Sequence, residues 1–186
     1  MGPTPSDLGV ISLRLRELGQ VFNSLDPAPF HEKDLDPVAR EYILGRARDE
    51  PGDAKLILWV EIERPPPVAD SAAILREAIH NDFAAQADLR RRDLRELLRY
   101  GRTALAIGIV FLAGCLFLAQ VLEPHTRGFI RILRESLLIG GWVAMWRPLE
   151  IFLYDWWPIT RRIRLLDRMA RCEVHVHALS SRTPGP

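Results

Sequence analysis

The stretch ALAIGIVFLAGCLFLAQVL, residues 104–122, decides how this chain is built. It carries no charge, and its one clearly polar side chain, Gln120, lies close to its end. At 1.5 Å of rise per residue, the run makes a helix of roughly 28 Å, close to the thickness of a bilayer's hydrocarbon core. Arg99 and Arg102 precede it and Glu123-Pro124 follows, so the apolar character stops sharply at both ends. The expectation is a transmembrane helix.

A second apolar stretch follows. SLLIGGWVAMW, residues 136–146, is interrupted by Arg147, Pro148 and Glu150 before IFLY and Asp155-Trp156-Trp157-Pro158. A crossing helix here must run from about residue 134 to about residue 154. Arg147 then lies inside the membrane, at a cost on the order of 2.5–3.5 kcal/mol at the centre of a span. Glu150, three residues on, shares its helical face and can pair with it. The arginine can also reach toward the headgroups. An intramembrane ionisable pair is a functional candidate by default, and the alternative is an anchor that fixes helix depth. The position near an interface favours the anchor. Tyr154, Trp156 and Trp157 suit an interfacial aromatic belt.

Arginine placement orients the two spans. Arg90, Arg91, Arg92, Arg95, Arg99 and Arg102 crowd the near side of the first span; Arg161, Arg162, Arg164, Arg168 and Arg171 follow the second. The connection between the spans offers only Arg127 and Arg131. Arginine excess on short flanks marks the cytoplasmic side, so both termini are expected there. The clusters can also attract anionic lipid headgroups. Small residues should let the spans pack: Ala104, Gly108, Cys115 and Ala119 on the first, Gly140 and Ala144 beside Gly141 on the second.

Outside the spans, 186 residues leave room for one small folded domain. The net charge of +1 is too near neutral for a general nucleic-acid binder. Basic charge is nearly all arginine, with Lys33 and Lys55 the only lysines; with much Ala, Gly and Pro this points to a GC-rich bacterial genome, and so to a bacterial inner membrane. Cys115 is assigned to lipid and Cys172 to the cytoplasm, so no disulfide joins them. The start, MGPTPSDLGV, lacks the basic and apolar regions of a signal peptide; its Gly2 and Ser6 match a myristoylation pattern by chance.

Residues 11–16, ISLRLR, alternate strictly and predict a half-buried strand. Leu15, Leu18, Phe22 and Leu25 recur at helical spacing and predict a short helix before Asp26-Pro27. DPAPFHEKDLDP then reads as an ordered loop. Asp36 is a good N-cap with Pro37 at the first helical position. Val38, Tyr42 and residues 44–47 should give that helix its buried face, and Asp49-Glu50-Pro51-Gly52 should end it. KLILWVEIE, residues 55–63, is the strongest strand, and Pro65, Pro66 and Pro67 close it. A long helix is expected from about Asp70, with Leu75, Ile79, Phe83, Ala87, Leu94 and Leu98 along one stripe, running almost into the first span and coupling the two parts. EVHVHA, residues 173–178, alternates again and is expected to add a third strand, because two strands alone make a marginal sheet.

Chemistry is sparse. Glu173, His175 and His177 share a face of the tail strand beside Cys172, and a His-x-His pair on a strand can ligate zinc. No further ligand cluster accompanies them, since His31, His80 and His125 are scattered; a solvated strand face is the expectation, and neither metal nor cofactor is assigned. Phe30-His31-Glu32-Lys33-Asp34 is charged but lacks a nucleophile or phosphate-binding context. His80 and Asn81 lie on the long helix before Phe83 and read as packing or helix-surface residues rather than catalytic ones. The sequence has no GxGxxG, Walker loop, CxxC pair or nucleophile elbow, and no catalytic residue is assigned.

FNSLDPAPFHEKDLD, residues 22–36, and WRPLEIFLYDWWP, residues 146–158, resemble a group of uncharacterised bacterial membrane proteins. Each of those joins a small cytoplasmic domain to a two-helix hairpin. The likeness covers most of the chain and implies architecture alone.

The expected fold is α+β: a cytoplasmic domain over residues 1–100, a transmembrane hairpin over 101–158 with spans at 104–122 and 134–154, and a basic cytoplasmic tail over 159–186. The expected role is non-enzymatic: a membrane-anchored interaction or regulatory module, with the lipid bilayer and a second copy or another membrane protein as partners, and no nucleic acid. The alternatives are an oligomeric pore or transport component using Arg147 and Glu150, and a metal-dependent enzyme using the tail histidines.

Overall fold

The computed structural model describes residues 8–23, 34–52, 54–64, 71–123 and 128–178. The loop at 24–33, the candidate residues His31 and His125, and the chain start with its myristoylation pattern lie outside them. The chain is mixed, with a three-stranded sheet and two helices long and apolar enough to cross a membrane. The described residues divide into two compact units, Met1–Leu89 with Arg162–Pro186, and Arg90–Arg161. The tail thus belongs to the same unit as the first strands.

In the first unit, β1 (Leu8–Glu17), β2 (Lys55–Arg64) and β3 (Glu173–Ala178) form a sheet in the order β1-β2-β3, with both pairs parallel. The tail strand pairs as expected, placing Val174 beside Leu58 and Ala178 beside Ile62. Parallel neighbours need a crossover rather than a tight turn, and α1 (Pro37–Asp49) supplies the first. Asp36 caps it through one carboxylate oxygen, which accepts from the Val38 and Ala39 N–H groups at 2.9 and 3.2 Å.

Alternation sends Ile11, Leu13, Leu15, Leu56, Leu58, Val60, Ile62 and Val174 to one face. There they join Ile43, Leu44 and Ala47 of α1, the stripe Leu75, Ile79, Phe83 and Ala87 of α2 (Ser71–Val121), and Leu165, Leu166 and Met169 of α5 (Trp156–Met169). Val38 and Tyr42 do not share this core. Both are exposed, since the stripe of α1 that meets the sheet runs through Ile43, Leu44 and Ala47, and Tyr42 instead lies under the Arg46 guanidinium.

The short helix expected over residues 15–25 is a single 3₁₀ turn, Leu18–Val21. Phe22 then leaves helical geometry and makes an antiparallel bridge with Leu35. Asn23 N–H donates to the Asp34 carbonyl at 2.9 Å and Asp36 N–H to the Val21 carbonyl at 2.7 Å. Burying Phe22 and Leu35 together outweighed helical periodicity.

α2 is unbroken for 51 residues and passes through Gly101 without interruption. Its later turns belong to the second unit, with α3 (Phe129–Ala144), α4 (Trp146–Glu150) and a π-helical turn, Ile151–Asp155, that leads into α5. The break at Met145 follows from Pro148. Proline has no N–H to offer the Ala144 carbonyl, and Met145 N–H turns back to Trp142 at 3.1 Å. Pro158 likewise has none for Tyr154, and the π-turn lies just before it.

Candidate functional site

The ionisable cluster of the second unit lies at this irregular segment. Arg147 Nη1 donates to Glu150 Oε2 at 2.9 Å, the pairing expected three residues apart on a helix. The same nitrogen lies 3.3 Å from Asp155 Oδ2. Eight residues of α-helix would leave Asp155 about 80° round the axis from Arg147. The wider π-turn makes up most of that angle. Asp155 is therefore a third member that helical spacing in the sequence does not reveal. The side chains of Arg147, Glu150 and Asp155 are 53%, 43% and 30% exposed, so the cluster stands on the surface of the unit. Close by, Trp156 donates its indole N–H to the Phe152 carbonyl at 2.8 Å, and Arg161 lies 4.8 Å from the centre of the Trp157 ring. Tyr154, Trp156 and Trp157 are all exposed.

The apolar helices pack within this unit, by a partly different set of small residues. Gly108 is buried, and a Cβ there would stand 3.1 Å from Met145 Sδ and 3.4 Å from the Ala144 carbonyl oxygen. Gly140 faces open space. Its neighbour Gly141 makes the contact, where a Cβ would stand 2.9 Å from Leu112 Cδ1 and 3.2 Å from Cys115 Cβ. One residue is about 100° of helix, so a stripe read one position off points away from its partner. Cys115 and Ala119 are buried as the stripe requires. At the far end of the hairpin, Arg134 Nε donates to the Ala119 carbonyl at 3.2 Å and Nη2 lies 3.8 Å from Glu123.

In the first unit a buried ion pair appears that the sequence reading missed. Asp82 is the one charged side chain among the buried described residues. Arg40 Nε donates to its Oδ2 at 2.7 Å and Nη2 to its Oδ1, while Nη2 also donates to the Leu35 carbonyl at 3.1 Å. Leu35 N–H returns to Asp82 Oδ1 at 3.3 Å. The hydrogen bond to Asp82, opposed by burial, holds the Arg40 pKa above its ordinary value. The four contacts tie α1, α2 and the segment before α1 together. Asp82 sits on the stripe of Leu75, Ile79 and Phe83, and an acid on an apolar stripe is the signal that could have found it.

The opposite face of the sheet carries Val10, Ser12 and Arg14, all exposed, and the half-buried Ile57, Trp59 and Glu61. Glu173, His175 and His177 share that face, as alternation predicts, but the groups are spent separately. Lys55 pairs with Glu173, and that hydrogen bond and charge hold the Glu173 carboxyl below the usual range. His175 Nε2 lies 3.7 Å from Glu173, and the His177 ring stacks on Trp59 at 4.2 Å and 15°. Among the described residues no three His, Cys, Asp or Glu side chains are gathered as a metal site. Cys172 is buried, and burial pushes its thiol up to about 11, far from a reactive thiolate. His80 donates from Nε2 to the Cys172 carbonyl at 2.9 Å, anchoring the start of β3.

Part of the second arginine cluster also has a structural task. Arg168 donates to the Pro51 and Ala54 carbonyls, both at 2.8 Å, and Arg162 pairs with Glu41.

No family model matches the chain, and it matches no curated protein and no solved structure.

Proposed function

We propose that this is a two-span protein of the bacterial inner membrane, both termini cytoplasmic, serving as a non-enzymatic, membrane-anchored interaction module. The carrying observation is the surface of the second unit. Ile107, Val110, Phe111, Phe117, Val121, Ile139, Trp142 and Val143 are all exposed, and only 17% of each apolar window is buried. The core helix of a water-soluble protein would be mostly covered, and so continuous an apolar surface is a membrane or protein interface. Lipid satisfies it, and helices meet the bilayer's demand that backbone groups be paired internally. Arginine excess on both outer flanks supports the orientation. Anchoring concentrates the folded unit at the bilayer, where encounter with a second copy or another membrane protein is favoured by effective concentration.

Fractionation of cells expressing the full chain tests the reading. The protein should stay in the membrane pellet through alkaline wash, need surfactant for extraction, and present both termini to cytoplasmic reporters. A folded, monodisperse chain in surfactant-free supernatant overturns it.

The ionisable cluster favours a second reading, an oligomeric pore. Arg147, Glu150 and Asp155 are unshielded in one chain, and several copies could turn them to a shared polar interior. Arg147→Leu separates the two. A depth anchor keeps its membrane level and oligomeric size, whereas a pathway residue loses ion flux in reconstituted vesicles.

A further inference from the structure

A cleft of about 350 Å³ in the second unit is lined by Arg95, Leu98, Arg99 and Arg102 of α2 and by Phe152 of the π-turn. The arginines follow one another at i, i+4 and i+7, so their guanidinium groups share one helix face. Gly101 permits the arrangement. A Cβ there would stand 2.8 Å from Ile151 Cγ2 and 3.3 Å from Phe152 Cζ, so the missing side chain lets Phe152 reach the arginine face. All three arginines are exposed, and among the described residues none has a carboxylate partner: Arg95 Nε reaches only the Arg91 carbonyl, at 3.4 Å. Asp93 is engaged by Arg90, and Glu150 and Asp155 by Arg147, while Glu96, on the same helix, makes no ion pair with any of the three arginines.

Three unneutralised guanidinium groups around an apolar floor suit a ligand with phosphate oxygens and a hydrocarbon stem. Arginine's planar fork matches phosphate in two-point hydrogen bonding. The cleft begins where the uncharged run begins, since Arg102 is two residues before Ala104, and the exposed rings of Tyr100, Tyr154, Trp156 and Trp157 lie on the same two chain segments. Rings and arginines of this kind gather at headgroup level. We infer that Arg95, Arg99 and Arg102, with Leu98 and Phe152, form a site for the headgroup of an anionic glycerophospholipid. The guanidinium groups hold the phosphate, and Phe152 and Leu98 lie against the glycerol and first acyl carbons. This inference rests on the membrane-spanning reading above.

The test uses the full chain purified in a neutral detergent, with phosphatidylglycerol, cardiolipin or phosphatidylcholine added and bound lipid counted by native mass spectrometry. The expected result is retention of the anionic lipids over phosphatidylcholine. R99Q/R102Q should weaken that retention by on the order of tenfold. R164Q/R171Q removes the same charge from two exposed arginines outside the cleft lining and should leave it unchanged. Phe152→Ala, which keeps all charge, should also lower it. Equal loss in the two double variants would mean diffuse charge attraction and overturns the site. So would inorganic phosphate binding as well as the lipids, or no preference between lipid classes. A chain that is folded without any surfactant defeats the membrane reading itself, whereas a surfactant-requiring chain without lipid preference defeats the cleft alone.

Discussion

Asp82 and Arg147 show how differently one charge behaves in two surroundings. The Asp82 side chain is 2% exposed and that of Arg40 15%, and each supplies the other's counter-charge. Removing one member strands the other in a low-dielectric interior, which costs roughly 3–5 kcal/mol. Asp82→Ala should therefore lower the melting temperature of the purified chain sharply, and Asp82→Leu with Arg40→Met should recover much of the loss; equal melting of both variants and the unsubstituted chain would mean that the pair carries no weight. Arg147 instead keeps two carboxylates at its side and half of its surface open, so its cost is met locally rather than by folding. The sequence made the Arg147–Glu150 pair legible because three residues of helix is a short-range relation. It hid Asp155, which reaches Arg147 through a π-turn, and it hid the Arg40–Asp82 partnership, which joins positions 42 residues apart.

Among the elements, those governed by local chemistry were legible. The alternation of β1, β2 and β3 predicted strands, the Asp36-Pro37 cap predicted the start of α1, and the lack of Gly or Pro between residue 70 and Gly101 predicted a long helix there, though not its unbroken passage through Gly101 into the apolar run. Elements whose form depends on a neighbour were not. The supposed helix over 15–25 yields to the Phe22–Leu35 bridge, and the packing glycine is Gly141 rather than Gly140. That one-residue difference makes a direct test. A cysteine in place of Gly141 would bring its Cβ to 3.2 Å from that of Cys115, near the 3.5–4.5 Å usual in disulfides, once Leu112 shifts its side chain. Under mild oxidation Gly141→Cys should give a disulfide within one chain and Gly140→Cys should not. A crosslink only between chains would mean that the helices pair across subunits instead.

At the scale of the molecule, the tail completes the fold. β3 is the last described element, yet it pairs with β2 and contributes Val174 to the shared core. Removing the chain beyond Arg171 would leave two strands, and would take the Cys172 and Val174 carbonyls from His80 and Arg76 and the carboxylate of Glu173 from Lys55. Thermal unfolding should shift to lower temperature, and an unchanged transition would deny β3 its part. The sequence by itself determined the alternation of the three strands, the uncharged run, the arginine flanks and the N-cap, because these depend on residues within a few positions of one another. Only the tertiary structure decided that all three strands run parallel, that Asp82 meets Arg40, that Gly141 receives Leu112 and that Phe152 enters the arginine cleft. Each of these joins parts distant along the chain, and their free energy comes from surface and charge that only folding brings together.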